Sequence, residues 1–546
     1  MELDLQATIK ELIQGALKEL DNDLEPKDLV YLDFPTDNRF GELSTNIAMR
    51  LARTLKKSPA QIAGRLIPIL EEKIKSQKLD IYIKDIKLEG AGFINFYFTD
   101  RFFYDRLSDL IVKGRDALRI NLGHAAPVII EFVSANPTGA LSVAHARQAA
   151  VGDILANVMA FTGFKVNREY YLNDEGNQIN ILGESVVLRM KELAGERIEF
   201  PENYYQGDYI YDIAREVAGR RPQVVSPGDF AAGHILGIIK KELEDFGVKF
   251  DSWYSQKSLR ESGKIDEALA FLKDKGFLYE EDGALWFKST QFGDDKDRVV
   301  IKSDGSYTYL APDIAYHRDK YKRGFKKIIN LWGPDHHGYI NRLKAAVLAL
   351  GYDAGSISII IVQLATISRG GQPVLMSTRR GQYITLREVL DEVGKDAARF
   401  FFLMRRTSSH LDFDLEVAKK QSSENPVYYC QYAYARIASI LRSSSPVLKP
   451  GELDVRALQE KEELVLIKKI WQFNSILNIC VITEDPYWLT VYLQELAETF
   501  HKFYDLHRVL GQDSRLTSAR LALIQAVQTV LGTGLELLGV SRPESM

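Results

Sequence analysis

Apolar positions recur at helical spacing at the start of the chain. Leu5, Ile9, Leu12, Ile13, Ala16, Leu17 and Leu20 fall on one face, which predicts an amphipathic helix over Leu3–Leu20. A second helix is expected from about Ser44 through Leu55. Ser58-Pro59 opens a third, with serine as N-cap and proline at the first helical position, where an N–H has no partner anyway. The alternation of Phe93-Ile94-Asn95-Phe96-Tyr97-Phe98 predicts a strand. It follows Gly90-Ala91-Gly92, which lacks a third glycine and a following helix and is therefore no dinucleotide fingerprint.

From Pro127 the pattern changes. Val128-Ile129-Ile130-Glu131-Phe132 is nearly continuous in apolar residues, as in a strand buried on both faces. A tight loop, Ser134–Gly139, leads to a helix from about Ser142 to Phe161 that ends near Gly163, and Lys165–Leu172 reads as the next strand. A second α/β half follows, with strand Lys327–Trp332, helix Ile340–Leu350 and strand Ser356–Val362. Between them, residues from about 173 to 290 are mixed and read as an insertion. Beyond about Glu416 the pattern is wholly helical. The expected fold is multidomain: a small N-terminal α/β domain over 1–112, a doubly wound, Rossmann-like α/β core over 113–415, and an all-α domain over 416–546.

The length of 546 residues agrees with about three or four domains. At 46% hydrophobic and 26% charged, the chain has an ordinary globular balance. Its two cysteines, Cys430 and Cys480, form no Cys-x-x-Cys pair, which argues against a disulfide framework and a zinc ribbon and fits a reducing cytosol. The N-terminus lacks a secretory pattern, and no run is expected to reach the ~20 apolar residues of a membrane helix. A cytoplasmic protein without membrane contact is expected. A net charge of -4 argues against blanket charge-driven nucleic-acid binding but not against local patches.

Two stretches carry candidate chemistry. In Ser134–Arg147, SANPTGALSVAHAR, a loop leaves a buried strand and opens a helix whose free N–H groups suit a phosphate or carboxylate. Glu131 and Asn136 lie at the strand's carboxyl end, where open α/β sheets bind ligands, and His145 sits in the helix's first turn. By itself His145 reads better as a surface histidine; the constellation makes it a candidate. In Val374–Gly381, VLMSTRRG, a small polar loop with two arginines is suited to offset triphosphate charge, although a basic loop is the plainer reading.

Taken together these residues resemble bacterial-type arginyl-tRNA synthetases. Ser134–Arg147 looks like the family's HIGH region and Val374–Gly381 like its KMSK region. YYLNDEG at Tyr170–Gly176, YTYLAPDIAYH at Tyr307–His317, WGPDHHGY at Trp332–Tyr339, SHLDFD at Ser409–Asp414, FGELSTNIAMR at Phe40–Arg50 and the terminal Leu538–Met546 also match, in order along the chain. The resemblance implies a class I catalytic core, an anticodon-binding helical domain and an N-terminal domain that contacts tRNA. It implies ATP-dependent ligation of L-arginine to tRNA(Arg) through arginyl-adenylate, with release of AMP and diphosphate.

It also implies roles. Glu131, Asn136, Tyr309 and Asp313 would hold arginine. Ala135, Pro137, Thr138, Gly139, Ala144, His145, Gly333, Asp335, His336, Met376 and Ser377 would face ATP, with His145, Ser142, Ser377 and Arg379 taking part in catalysis. Phe93, Asn95, Tyr432 and Arg436 would touch tRNA. Chemistry agrees for arginine: a planar five-donor cation wants a carboxylate fork and an aromatic face. Core packing is the competing reading for Phe93 and for the tyrosines at 428, 429, 432 and 434. Magnesium is expected only through ATP phosphates, with no protein metal site and no zinc, and the chain is expected to be a monomer.

Three positions depart from the family pattern. Ser142 replaces the first histidine of HVGH, Ala144 the glycine between the histidines, and Leu375 the lysine before Met-Ser. Serine is shorter than imidazole, alanine adds a methyl where a close approach favours glycine, and leucine removes a positive charge. One lost transition-state donor typically costs ~10²–10³ in rate. A catalytically impaired paralogue that binds tRNA or regulates is therefore the alternative, and a different class I synthetase a third reading.

Overall fold

The structure, a computed structural model, describes residues 5–22, 24, 30–35, 38–219, 226–374, 383–444 and 453–546. The chain forms two compact units. One comprises residues 1–114, 446–471 and 507–526, and the other 115–445, 472–506 and 527–546. The helical tail thus contributes to both.

In the first unit, α1 (Leu5–Leu20) buries Leu5, Ile9, Leu12, Ile13, Ala16 and Leu17, the stripe predicted from spacing; Leu20 is half-buried. The expected helix from Ser44 begins later, because Leu43–Thr45 forms a short strand, β1, and α2 runs Ile47–Leu55. For α3 (Pro59–Ser76) the predicted cap holds: Gln61 N–H donates to Ser58 Oγ, and Ser58 N–H donates back to Gln61 Oε1 at 3.0 Å. β2 (Ile83–Glu89) and β3 (Phe93–Phe98) complete an antiparallel sheet of order β1-β3-β2, followed by α4 (Asp100–Lys113). Trp471 meets Phe34, Phe98, Phe102 and Phe103 edge-on at 5.5–5.8 Å, giving this unit an aromatic centre.

The second unit starts with β4 (Pro127–Glu131), α5 (Val143–Phe161) and β5 (Lys165–Leu172). Helices α6 (Asn177–Leu193), α7 (Tyr209–Ala218) and α8 (Pro227–Asp245) lead to β6 (Ser252–Ser255). Helices α9 (Gln256–Glu261) and α10 (Lys264–Asp274) and a small antiparallel sheet, β7 (Leu278–Glu281), β8 (Ala284–Phe287) and β9 (Arg298–Ile301), come next. The second half is α11 (Leu310–Lys322), β10 (Lys327–Trp332), α12 (Ile340–Ala349) and β11 (Ile357–Ile361).

The main sheet has the order β11-β10-β4-β5-β6, with every pairing parallel. The chain winds outward from β4 to β6, then crosses back and winds outward from β10 to β11. The reversal between β4 and β10 opens a crevice at their carboxyl ends. Val128, Ile129 and Ile130 are fully buried, as their unbroken run predicted. Contrary to the expected insertion over about 173–290, β6 lies within that stretch yet is a strand of the main sheet. Its Ser-Trp-Tyr-Ser sequence is half-buried at an edge, so it carries no apolar run to announce it.

α5 is buried over most of its length and packs closely on the sheet. A Cβ at Gly152 would stand 2.3 Å from the Phe132 ring, so only glycine permits this approach. Lys461–Thr483 is long and apolar enough, by length and composition, to cross a membrane. It forms two helices, Lys461–Trp471 and Phe473–Thr483, whose Leu466, Ile467, Ile470, Phe473, Leu477 and Cys480 are buried within the protein.

Candidate active site at the sheet reversal

β4 delivers Glu131 to the reversal point, paired in register with Asn330 of β10. The chain then turns through Val133 and Ser134, both at positive φ (68° and 42°). That conformation is strained for a β-branched valine and marks a turn fixed by its surroundings. Its result is that Ser134 Oγ donates to Glu131 Oε1 at 3.2 Å and accepts the Tyr171 N–H at 3.1 Å.

α11 supplies the opposite wall. Asp313, His317 and Lys320 are spaced four and three apart, on one helical face. Lys320, wholly buried, donates to Glu131 Oε2 and to Asn330 Oδ1 at 3.1 Å. The Asn330 amide therefore points its nitrogen at His317 Nε2, 2.8 Å away, and His317 Nδ1 lies 2.8 Å from the Asp313 carbonyl. These partners assign a neutral histidine with its proton on Nδ1. Burial, with Lys320 nearby, holds its pKa well below the usual histidine value. Asp313 is half-buried, and burial pushes its pKa up to about 7; a hydrogen bond from Tyr339 pulls the other way, and the Glu131 charge adds to the rise.

Asn136, predicted with Glu131 on the amino-acid side, has both side-chain ends engaged: Nδ2 donates to Gln178 at 2.6 Å and Oδ1 accepts from Asn173 at 3.1 Å. Tyr309 caps α11 one turn before Asp313 and is 76% exposed, standing open to solvent.

The neighbouring wall is the start of α5. Ser142 is its N-cap, and its backbone N–H donates to His145 Nδ1 at 3.2 Å. The Ser142 hydroxyl is 3.1 Å from the same nitrogen. With Nδ1 accepting, neutral His145 carries its proton on Nε2. Burial lowers its pKa to about 4, with the Asp335 carboxylate opposing, so the ring is a neutral donor near pH 7. Asp335 and His336 are exposed on the one-turn segment Pro334–Tyr339 that follows β10 and Gly333. A Cβ at Gly333 would lie 2.6 Å from Asp335 Oδ1.

Ala144 is half-buried in the first turn of α5. The Ala135, Thr138 and Ala140 carbonyls accept from Tyr170, Tyr209 and Tyr383 at 2.8, 2.6 and 3.0 Å, which braces the loop around Pro137 and Gly139. Arg147, fully buried, reaches the carbonyls of Gln363, Ser409 and Arg406 at 2.7–3.0 Å and ties α5 to the following segments. Leu375, Met376, Ser377, Arg379 and Arg380 lie outside the described residues.

Of the residues predicted to touch RNA, Phe93 is 42% exposed, whereas Asn95 is buried and accepts from Ser44 Oγ at 2.6 Å. Its side chain is thus committed inside its own sheet. On helix Pro426–Ser443, Tyr428, Tyr429, Tyr432 and Tyr434 are all half-buried. Arg436 donates to Tyr432 Oη at 2.7 Å and lies over the Tyr432 and Tyr504 rings. Lys320, Asn330, His317, Tyr171 and Tyr339 were not foreseen. Among the described residues no group of three or more His, Cys, Asp or Glu is arranged to hold a metal ion.

A doubly wound sheet, acids at its reversal and a histidine in the first turn of the helix after the first strand are compatible with a class I aminoacyl-tRNA synthetase core. Sequence comparison agrees, since residues 106–411 match the family described as tRNA synthetases class I (R), catalytic domain. Residues 7–98 match the arginyl tRNA synthetase N terminal domain, and 430–546 the DALR anticodon binding domain. An arginine–tRNA ligase of Geobacter sp. strain M21 is 45% identical over 100% of both chains, and one of Geobacillus kaustophilus 47% identical over 95% of this chain and 94% of its own. Thermus thermophilus arginyl-tRNA synthetase, 21% identical, shares the fold over 99% of this chain and all of its own, with a TM-score of 0.79. The chain belongs to the arginyl-tRNA synthetase family.

Proposed function

We propose that this chain ligates L-arginine to tRNA(Arg) at the expense of ATP. The observation that carries the reading is the pairing, across one sheet reversal, of two carboxyl groups with a neutral histidine donor. Glu131 and Asp313 suit the two cationic ends of arginine. Tyr309 supplies an exposed ring beside Asp313, suited to covering a guanidinium. His145 Nε2–H, Gly333 and Asp335 flank the nucleotide side, and ATP arrives as its magnesium complex, so magnesium comes with the substrate.

In the first step an arginine carboxylate oxygen bonds to the α-phosphorus, and the bond from that phosphorus to the bridging oxygen breaks, releasing diphosphate. In the second, a terminal ribose hydroxyl of tRNA bonds to the arginyl carbonyl carbon, loses its proton, and AMP departs. No covalent enzyme intermediate is required; the site positions reactants and donates to developing charge. Met376, Ser377 and Arg379 are proposed to act on the phosphates. Phe93, Tyr432 and Arg436 are proposed to stack on RNA, and the buried, bonded Asn95 to support Phe93's strand. A cytoplasmic monomer fits this reading.

One observation favours a second reading. The Ser142 side chain folds back onto His145, leaving no second imidazole for the phosphates. A non-catalytic tRNA-binding protein on this scaffold would bind tRNA without turnover. Charging assays with arginine, ATP and tRNA separate the two. Arginyl-tRNA formation supports ligation. Its absence, with charging restored by Ser142→His, Ala144→Gly and Leu375→Lys together, supports the paralogue.

A further inference from the structure

Tyr339 ends the segment that carries Asp335 and His336, and its hydroxyl donates to Asp313 Oδ2 at 2.6 Å. Its ring is fixed on two sides, by Trp332 at a centroid distance of 6.0 Å and by the Arg342 guanidinium 4.7 Å over it. Among the described residues no other side chain donates a hydrogen bond to the Asp313 carboxylate. Glu131 from β4, Tyr171 from β5, His317 and Lys320 from α11, and Arg342 from α12 complete its charged and titratable surroundings.

An aspartate carboxyl turns about a broad, two-fold torsion, so its plane is undefined until something holds it. A guanidinium fork needs that plane, because two parallel N–H bonds must meet two oxygens. An ammonium is a point charge and does not. Oδ2 retains a second lone pair after accepting from Tyr339, so the fork is still possible. We infer that Tyr339 is a positioning residue that fixes the Asp313 carboxylate plane for a bidentate guanidinium, and so favours arginine over lysine. The inference rests on the reading that Asp313 faces the arginine side chain.

The test is equilibrium binding of L-arginine, L-lysine and ATP to the full chain and to Tyr339→Phe, with thermal melts of both. Having to order the freed Asp313 carboxyl on binding corresponds to a loss of about three- to tenfold in arginine affinity. Lysine, read by competition, should change by less than about threefold and ATP affinity should hold, while the melting temperature falls only modestly from the orphaned Asp313 oxygen. Unchanged arginine affinity overturns the inference. An equal loss for arginine and lysine overturns it too, as does a matching loss for ATP, which marks a merely structural role. A parent that binds arginine but charges no tRNA overturns the ligase reading and leaves this one standing; a parent that binds no arginine overturns both.

Discussion

Replacing Lys320 by methionine removes a wholly buried cation while nearly keeping its volume. Glu131, 7% exposed, then loses its counter-charge at Oε2, and Asn330 Oδ1 loses its donor. Breaking one side of a buried ion pair costs about 3–5 kcal/mol. The orphaned amide oxygen adds about 1–3 kcal/mol, though two losses in one network do not sum simply. Packing contributes little, because volume-conserving swaps usually cost under about 1.5 kcal/mol. A net loss of about 4 kcal/mol is expected in the unit that holds the sheet. The chain has two compact units and need not unfold in one step. The assay is therefore urea unfolding followed by hydrogen exchange, read at the amides of β4, β10 and α11. Lys320→Met/Glu131→Gln provides the decisive arm. It removes both charges, and most of the loss should return. A single-variant loss below about 1 kcal/mol would refute the network, as would a double variant no more stable than the single.

Asp313 has a pKa raised to about 7, so arginine affinity should fall as pH drops from 8 to 6, because the protonated acid no longer attracts a cation. A titration flat across that range contradicts it. The same shift has a stability consequence: the folded state holds this proton more tightly than the unfolded chain, so Asp313's contribution weakens as pH rises from about 4 to about 7. Asp313→Asn should therefore raise the melting temperature at pH 8 while weakening arginine binding. His145 should show no titration between pH 5 and 8 by nuclear magnetic resonance, given a pKa near 4. Arg399 is fully buried and bonds Asp153, the Leu538 carbonyl at 2.6 Å and the Phe246 carbonyl at 3.2 Å. Arg399→Met should lower stability by about 3–5 kcal/mol in chemical denaturation, and a loss below 1 would contradict the buried pairing.

The sequence by itself determined the elements whose local signals agree with their burial. The unbroken Val-Ile-Ile run reads as a strand covered on both faces, and that is what it forms. Ser58-Pro59 reads as a helix start and is one, since serine satisfies an orphan N–H and proline has none to lose. The loop into α5, with Glu131 before it and His145 after it, was legible because strand end, turn and helix start are adjacent in the chain. Tertiary structure decided what proximity in space requires. Lys320 lies in HRDKYKR, which reads as a solvated charged face; only the crossing of α11 over β4 and β10 places its ammonium between Glu131 and Asn330. Tyr339 ends the matching stretch Trp332–Tyr339 without a role of its own, and its partner lies 26 residues away in sequence. Asn95 looked available to RNA until β1 supplied Ser44. Periodicity records which side of an element is buried. It does not record which buried polar group another element will bring to it, and that pairing, set by long-range packing, fixes the charges of this site.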